Sequence, residues 1–127
     1  MPMKNIWNNL TSGLFKQPLS QEAFEAYFHR LPGNVEVSWF RDGKFIIGNI
    51  KAGDNKFVTQ GKDAEDFIDM VNDAVITVFG IPKQYYNVIR QVHTYMPPKE
   101  QLEQLQNAGI KKATIFLDKN KKVAQLA

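Results

Sequence analysis

The sequence predicts an α+β fold, in which a three-stranded antiparallel meander is followed by a helix that covers it. Residues 35–40 alternate apolar and polar side chains, which is the period of a strand. Asp42-Gly43 is a turn signal between this run and a second one. Residues 64–78 carry apolar side chains at the i, i+3, i+4, i+7 spacing of an amphipathic helix. We expect an added helical segment before this unit, and a helix and strand extension after it.

The chain of 127 residues is long enough for one domain with a buried core. We expect a single domain 1–127, in which a helical extension (1–34) precedes a β-β-β-α core (35–80) and a helical and β extension (81–127) follows. The chain has no cysteine, which excludes disulfides, thiolate nucleophiles and Cys-ligated zinc. No apolar run approaches the roughly 18 residues that span a membrane, and the N-terminus lacks a continuous apolar signal region. The sequence therefore predicts a cytoplasmic protein without membrane association.

Two helices are predicted before the core. The first is expected to pack on the domain or on a second copy. Its apolar residues are Ile6, Trp7, Leu10, Leu14 and Phe15. The second is expected to begin after Ser20, whose hydroxyl suits an N-cap, and to end at Pro32-Gly33-Asn34. Its apolar stripe consists of Ala23, Phe24, Tyr27, Phe28 and Leu31.

The predicted hairpin pairs Arg41 with Lys44 across the turn and leaves both basic side chains in solvent. The next pairs along the strands are Trp39 with Ile46, Val37 with Gly48 and Val35 with Ile50. This register gathers the apolar groups on one face of the sheet and the polar groups on the other. The polar members are Glu36, Ser38 and Asn49. A second turn at Gly53-Asp54-Asn55 leads to a third strand at residues 57–59.

The covering helix has an apolar stripe and an acidic outer side. The stripe consists of Ala64, Phe67, Ile68, Val71, Ala74, Val75 and Val78. Asp63 suits the N-cap, and Glu65 and Asp66 suit the positive end of the helix dipole. Asp66, Asp69 and Asp73 recur at the spacing that aligns side chains on one face, opposite the stripe. Gly80-Ile81-Pro82 is expected to stop this helix.

The C-terminal third predicts two helices and a strand. Apolar residues recur at helical spacing in the first helix, and Pro82 suits its first turn. They are Tyr85, Val88, Ile89, Val92 and Tyr95. A short helix from Glu100 to Ala108 is expected to end with Gly109 as its C′ residue. Residues 113–117 and 123–126 then predict either a closing hairpin or a single strand with a tail.

No catalytic constellation can be assembled from the sequence, so we expect a protein that is not an enzyme and has no cofactor or metal. His29 and His93 are isolated, and no serine lies in a nucleophile-elbow pattern. Carboxylates can hold magnesium for phosphodiester chemistry. Glu65, Asp66, Asp69 and Asp73, however, lie on one helix face, whereas metal sites draw ligands from several elements. These carboxylates predict a solvated face or a surface for a basic partner.

The strand, Asp-Gly turn, second strand, Thr59-Gln60-Gly61 and acidic helix occur in the order that resembles the HicB-like antitoxin domain. The likeness covers about residues 35–80 and includes the segment Phe57–Gly61 and the helix start at Asp63. The usual Pro-Gly pair before the third strand is replaced by residues 52–55, and no helix-turn-helix or ribbon-helix-helix follows.

The resemblance implies a reduced RNase H-like β-β-β-α topology without catalytic acids. It also implies binding to a small basic HicA-like RNase toxin, which the antitoxin masks, or a stand-alone relative of such antitoxins. The acidic residues Glu65, Asp66, Asp69 and Asp73 would then form the docking surface.

The charge distribution leaves a nucleic-acid-binding alternative open. The net charge is +3, but residues 83–127 are basic and residues 62–82 are acidic. The lysines of this alternative are Lys111, Lys112, Lys119, Lys121 and Lys122. Only Phe116 lies among them, so few aromatic rings are available to stack on bases. In either case an exposed sheet edge and an apolar N-terminal helix predict self-association, most simply as a symmetric homodimer.

Overall fold

Five strands and four helices follow one another in a computed structural model that describes residues 20–92 and 94–119. The helices are α1 (Gln21–Arg30), α2 (Ala64–Val78), α3 (Tyr86–Gln91, directly after a 3-10 turn at Lys83–Tyr85) and α4 (Lys99–Gln106). The strands are β1 (Asn34–Asp42), β2 (Phe45–Ala52), β3 (Asn55–Gly61), β4 (Tyr95–Met96) and β5 (Lys112–Lys119). The helix expected at residues 6–15 and the strand expected at 123–126 lie outside the described residues.

The strands form one antiparallel sheet in the order β3-β2-β1-β5-β4. The α+β class and the β1-β2-β3-α2 order are confirmed. The expectation of a three-stranded sheet is wrong, because β5 pairs with the second edge of β1 along seven residue pairs. β4 then pairs with the end of β5. Pairing between strands that lie about 70 residues apart leaves no local sequence signal, so the meander was the part that could be predicted.

The hairpin register differs from the predicted one by two residues. Asp42 pairs with Phe45 and Trp39 pairs with Gly48, so the loop consists of Gly43 and Lys44. Gly43 has φ +60°, and it takes the first loop position, where primed turns require a positive φ. A shift of two residues keeps every side chain on its own face. The hydrophobic pattern is therefore equally satisfied by both registers, so it could not distinguish the predicted loop Asp42-Gly43 from the observed loop Gly43-Lys44.

Helix α2 covers the inner face of the sheet. Its buried residues are Ala64, Phe67, Ile68, Val71, Asn72, Val75 and Ile76. Asp63 is the N-cap as predicted, and its carboxylate accepts the Asp66 N–H at 2.8 Å. The predicted stripe is wrong at its far end, where Val78 is exposed and Ile76 is buried instead. The helix therefore turns a slightly different side to the sheet in its last two turns.

The C-terminal third departs from the predicted elements in three places. Tyr95 is buried as expected, but it lies in β4 and not in a helix that begins near Tyr85. Helix α4 ends at Gln106, and the Asn107 carboxamide oxygen accepts the Gly109 N–H at 2.9 Å. Gly109 has no positive φ and is not the C′ residue.

Among the described residues, no helix is long and apolar enough to cross a membrane.

Two basic side chains of the sheet cap the C-terminal ends of α4 and α1 by donating hydrogen bonds to backbone carbonyl oxygens. Arg41 Nη2 donates to the carbonyl oxygens of Leu105 (2.6 Å) and Asn107 (2.8 Å), and its Nε donates to that of Ile110 (2.7 Å). Lys119 Nζ donates to the carbonyl oxygens of Phe28 and Leu31, both at 3.0 Å. The prediction that Arg41 is solvated is wrong, because its guanidinium donates to backbone carbonyls at and just after the end of α4.

Asn72 connects α2 to β4 through a buried pair of hydrogen bonds. Its carboxamide oxygen accepts the Tyr95 N–H at 2.8 Å, and its Nδ2 donates to the Tyr95 carbonyl oxygen at 3.0 Å. The side chain thus pairs with the backbone of Tyr95 as a neighbouring strand would. The Tyr95 hydroxyl donates to the Pro32 carbonyl oxygen, and burial raises the pKa of this hydroxyl above its ordinary value.

Gly61 is where the end of β3 touches α2. A Cβ at this position would lie 2.8 Å from Phe67 Cβ and closer still to the Phe67 backbone nitrogen. Because backbone cannot move aside as a flexible side chain can, we expect Gly61→Ala to lower the free energy of unfolding by about 1–3 kcal/mol. Gly33→Ala is the matched control, since nothing lies within 4 Å of that Cβ. Urea denaturation of both variants checks this, and equal free energies would contradict the close contact.

Candidate binding surfaces

The acidic ridge of α2, Glu65, Asp66, Asp69 and Asp73, lies on the side of the helix away from the sheet. Glu65, Asp69 and Asp73 are exposed, and Asp66 is half-buried. These side chains point away from the sheet because, at 3.6 residues per turn, their positions lie on the opposite side of the helix from the stripe that packs on the sheet. In the part of the chain that the structure describes, no three His, Cys, Asp or Glu side chains converge as a metal site.

Asp66 is engaged at the start of α2. Its carboxylate accepts the Lys62 N–H at 2.8 Å, while Asp63 accepts the Asp66 N–H. This reciprocal arrangement satisfies backbone donors that the first turn of a helix leaves free. Asp66 therefore stabilises the helix start as well as adding negative charge to the surface.

Arg90 of α3 holds two members of the acidic ridge. Its Nη2 lies 2.7 Å from Asp69 Oδ1, and its Nε lies 3.5 Å from Asp73 Oδ1. Its Nη1 also donates to the Asp69 backbone oxygen at 2.9 Å. The positive charge of Arg90 makes the net charge of the ridge less negative, and its contacts restrict the rotamers of both aspartates. Its position in a separate helix gave the sequence no signal that it would meet them.

The C-terminal lysines that the structure describes differ in what they contact. Lys119 is held by α1, with its Nζ over the Phe28 ring at 4.9 Å in addition to the carbonyls. Lys111 donates to the Ala108 carbonyl oxygen at 3.2 Å. Lys112 is exposed on β5. Lys121 and Lys122 lie outside the described residues.

A second surface, the open sheet face, was missed by the sequence analysis. It is the side of β1, β2, β3 and β5 that α2 does not cover. Val58 is 63% exposed, Phe116 51% and Phe40 41%, which is unusual for large apolar side chains on neighbouring strands. The available signal was that Phe40, Val58 and Phe116 occupy the polar positions of their alternating strands.

The strand registers arrange the open sheet face in rows that cross the strands. In one row, Phe40 of β1 lies between Ile47 of β2 and Lys112 of β5. The next row has Ser38 between Asn49 and Thr114, and the following row has Glu36 between Lys51 and Phe116. On β3 the rows continue with Gln60, Val58 and Lys56. An apolar pair, Phe40 and Ile47, and a charged pair, Glu36 and Lys51, thus lie on either side of a central row that is polar on β1, β2 and β5.

Two opposite charges on the open sheet face stay apart. Glu36 and Lys51 lie directly opposite each other on β1 and β2. In the part of the chain that the structure describes, however, Glu36 and Lys51 form no ion pair. Both side chains therefore remain available to a group outside the chain.

Comparisons of the chain with protein-family models, with curated proteins and with solved structures find no match.

Proposed function

We propose that this chain is a non-enzymatic partner-binding protein, which masks a small basic protein as the HicB-type antitoxins that it resembles do. The observation that carries the proposal is the acidic ridge, whose carboxylates lie on the outer side of α2 with Asp69 and Asp73 oriented by Arg90. Clustered charge of one sign speeds association with an opposite charge and sets its orientation. The β1-β2-β3-α2 order, found where the resemblance places it, supports the same proposal.

Masking would act on a basic surface that otherwise binds RNA. Carboxylates of the ridge would meet the lysines and arginines that contact phosphates, and they would repel RNA from the same place. A small basic HicA-like RNase is the partner that the resemblance implies. Binding of this kind requires neither a cofactor nor a metal.

The test uses a small basic reading frame next to the gene, co-expressed with the full chain. We expect the two proteins to purify together and the chain to suppress RNA cleavage by its partner. Charge reversal at two ridge positions, Glu65→Lys with Asp73→Lys, should weaken the complex at least about tenfold at low salt, because both carboxylates face the partner. Titration calorimetry at two salt concentrations measures the affinity.

The matched control reverses two exposed charges of α4, Glu100→Lys with Glu103→Lys, which changes net charge equally. Equal weakening by both double variants would assign the effect to net charge alone and contradict a ridge interface. Undiminished RNA cleavage in the presence of the chain would contradict masking.

The nucleic-acid alternative has less support. Of the three required lysines that the structure describes, Lys119 donates to carbonyl oxygens at the end of α1, and Lys111 donates to a backbone carbonyl oxygen. Lys112 remains, but the open sheet face on which it lies also carries Glu36, which would repel phosphates.

A further inference from the structure

The exposed residues of the open sheet face indicate what kind of surface can bind to it. Four large apolar side chains at least 41% exposed lie on it among polar and charged residues: Phe40, Phe45, Val58 and Phe116. Apolar patches with polar surroundings mark interaction surfaces in soluble proteins. The face carries both signs of charge, with Lys51, Lys56 and Lys112 against Glu36 and Asp118. A partner that also carries both signs of charge can place an opposite charge against each of these residues.

We propose that the open sheet face is the contact surface of a symmetric homodimer, whose two-fold axis runs parallel to the strands between β1 and β2. Rotation about this axis lays β2 of one copy on β1 of the other, at the separation of about 10 Å that packed sheets have. Lys51 then faces Glu36 of the partner subunit, and Ile47 faces Phe40 of the partner subunit. Each contact occurs twice, because a two-fold interface is isologous.

The polar row lies at the centre of this interface. Asn49 faces Ser38 of the partner subunit, and both side chains can donate and accept hydrogen bonds. Ser38 Oγ also lies 3.3 Å from Thr114 Oγ1 within its own chain. On β1 and β2 the contacts are therefore complementary in three successive rows, which are ionic, polar and apolar. On the outer strands the same rotation places Phe116 against Lys56 of the partner subunit, so the complementarity comes from the two central strands. Glu36 and Lys51, which are not paired within one copy, become paired between copies.

The alternative two-fold axis, perpendicular to the strands, is disfavoured by the same layout. With its centre at the Ser38 row, it would place Glu36 against Phe40 of the partner subunit and Lys51 against Ile47 of the partner subunit. Burying a charge against an apolar group without a partner is costly. A polynucleotide is also disfavoured, because Glu36 lies in the middle of the face and Asp118 at one end.

The test is charge reversal in trans, measured on the full chain by sedimentation equilibrium. Wild-type chain should dimerise, and Lys51→Glu and Glu36→Lys should each raise the dimer dissociation constant at least about tenfold, because each creates two like-charge contacts per dimer. An equimolar mixture of the two variants should form a heterodimer within about threefold of the wild-type affinity, since each contact again joins opposite charges. A contact within one chain could not be restored by mixing.

The controls separate the interface from the fold and from net charge. Lys83→Glu and Glu103→Lys, made singly at exposed positions away from the open sheet face, carry the same charge changes as Lys51→Glu and Glu36→Lys and should leave the dimer unchanged. Thermal unfolding of each variant confirms that it folds. The proposal is overturned by a wild-type chain that stays monomeric at hundreds of micromolar, or by a mixture that fails to associate. It is also overturned if the face binds a single-stranded RNA oligonucleotide and Lys51→Glu abolishes that binding without affecting self-association.

Discussion

Arg41→Ala should lower the free energy of unfolding by about 2–4 kcal/mol, because it removes short charge-assisted hydrogen bonds to three backbone carbonyls and a longer one to a fourth. The short bonds go to Leu105, Asn107 and Ile110, the longer one of 3.5 Å goes to Gln104, and the guanidinium lies 5.1 Å from the centre of the Trp39 ring. The Asn107 carbonyl oxygen also accepts the Ile110 N–H, but no other described side chain donates to the carbonyls of Leu105 and Ile110, which would depend on water instead. Urea denaturation followed by circular dichroism measures the change.

Arg41→Lys separates geometry from charge. A lysine keeps the charge but has one nitrogen where the arginine fork has three, so it should recover less than half of the loss. Arg30→Ala is the matched control, since the exposed Arg30 guanidinium lies 5.1 Å from the centre of the Tyr27 ring and makes a 3.4 Å hydrogen bond to the Gly80 carbonyl oxygen. Its effect should stay below about 1 kcal/mol. If Arg30→Ala and Arg41→Ala cost the same, the capping role of Arg41 is wrong.

Asn72→Leu should lower the free energy of unfolding by about 2–5 kcal/mol, because two buried backbone groups of Tyr95 lose their partner and leucine supplies none. Leucine branches at the same carbon as asparagine and is larger, so the loss does not come from a cavity. Asn87→Leu on the exposed side of α3 is the control and should change stability by less than about 0.5 kcal/mol. A small effect at Asn72 would mean that β4 does not need this pairing.

Asn72→Asp adds a pH dependence with a defined sign. A protonated carboxyl at this position can still donate to the Tyr95 carbonyl oxygen, but a carboxylate would face that oxygen without a donor. Burial therefore raises the folded pKa of the introduced group above the unfolded value of about 3.9. The variant should be most stable below that unfolded pKa and should lose stability as pH rises through the folded pKa. Denaturation midpoints at pH 3.5, 5 and 7 measure this, and a flat profile would contradict it.

Local signals predicted α2 and the starts of two helices. Ser20 and Asp63 both accept the backbone N–H three residues on, as their side-chain chemistry indicates. The faces of β1 and β2 were also predicted, because a period of two survives the error in register. These features depend on residues that are close in the sequence.

Features that depend on distant residues could not be predicted. The pairing of β5 with β1, the carbonyls that Arg41 caps and the contact of Arg90 with the acidic ridge all join separate elements. The acidic ridge was placed correctly on the outside of α2, but its partial neutralisation was not foreseen. The open sheet face was missed because Phe40 and Phe116 were treated as occupants of alternating strands, and not as a patch.

The two basic caps, Arg41 and Lys119, make helix formation conditional on the sheet. Arg41 and Lys119 donate to carbonyls at the ends of α4 and α1 only after β1 and β5 have brought those side chains into place. Neither helix exceeds ten residues, a length that is marginal in isolation. Protection of their amides against hydrogen exchange should therefore be lost together with that of the strands, as one cooperative unit.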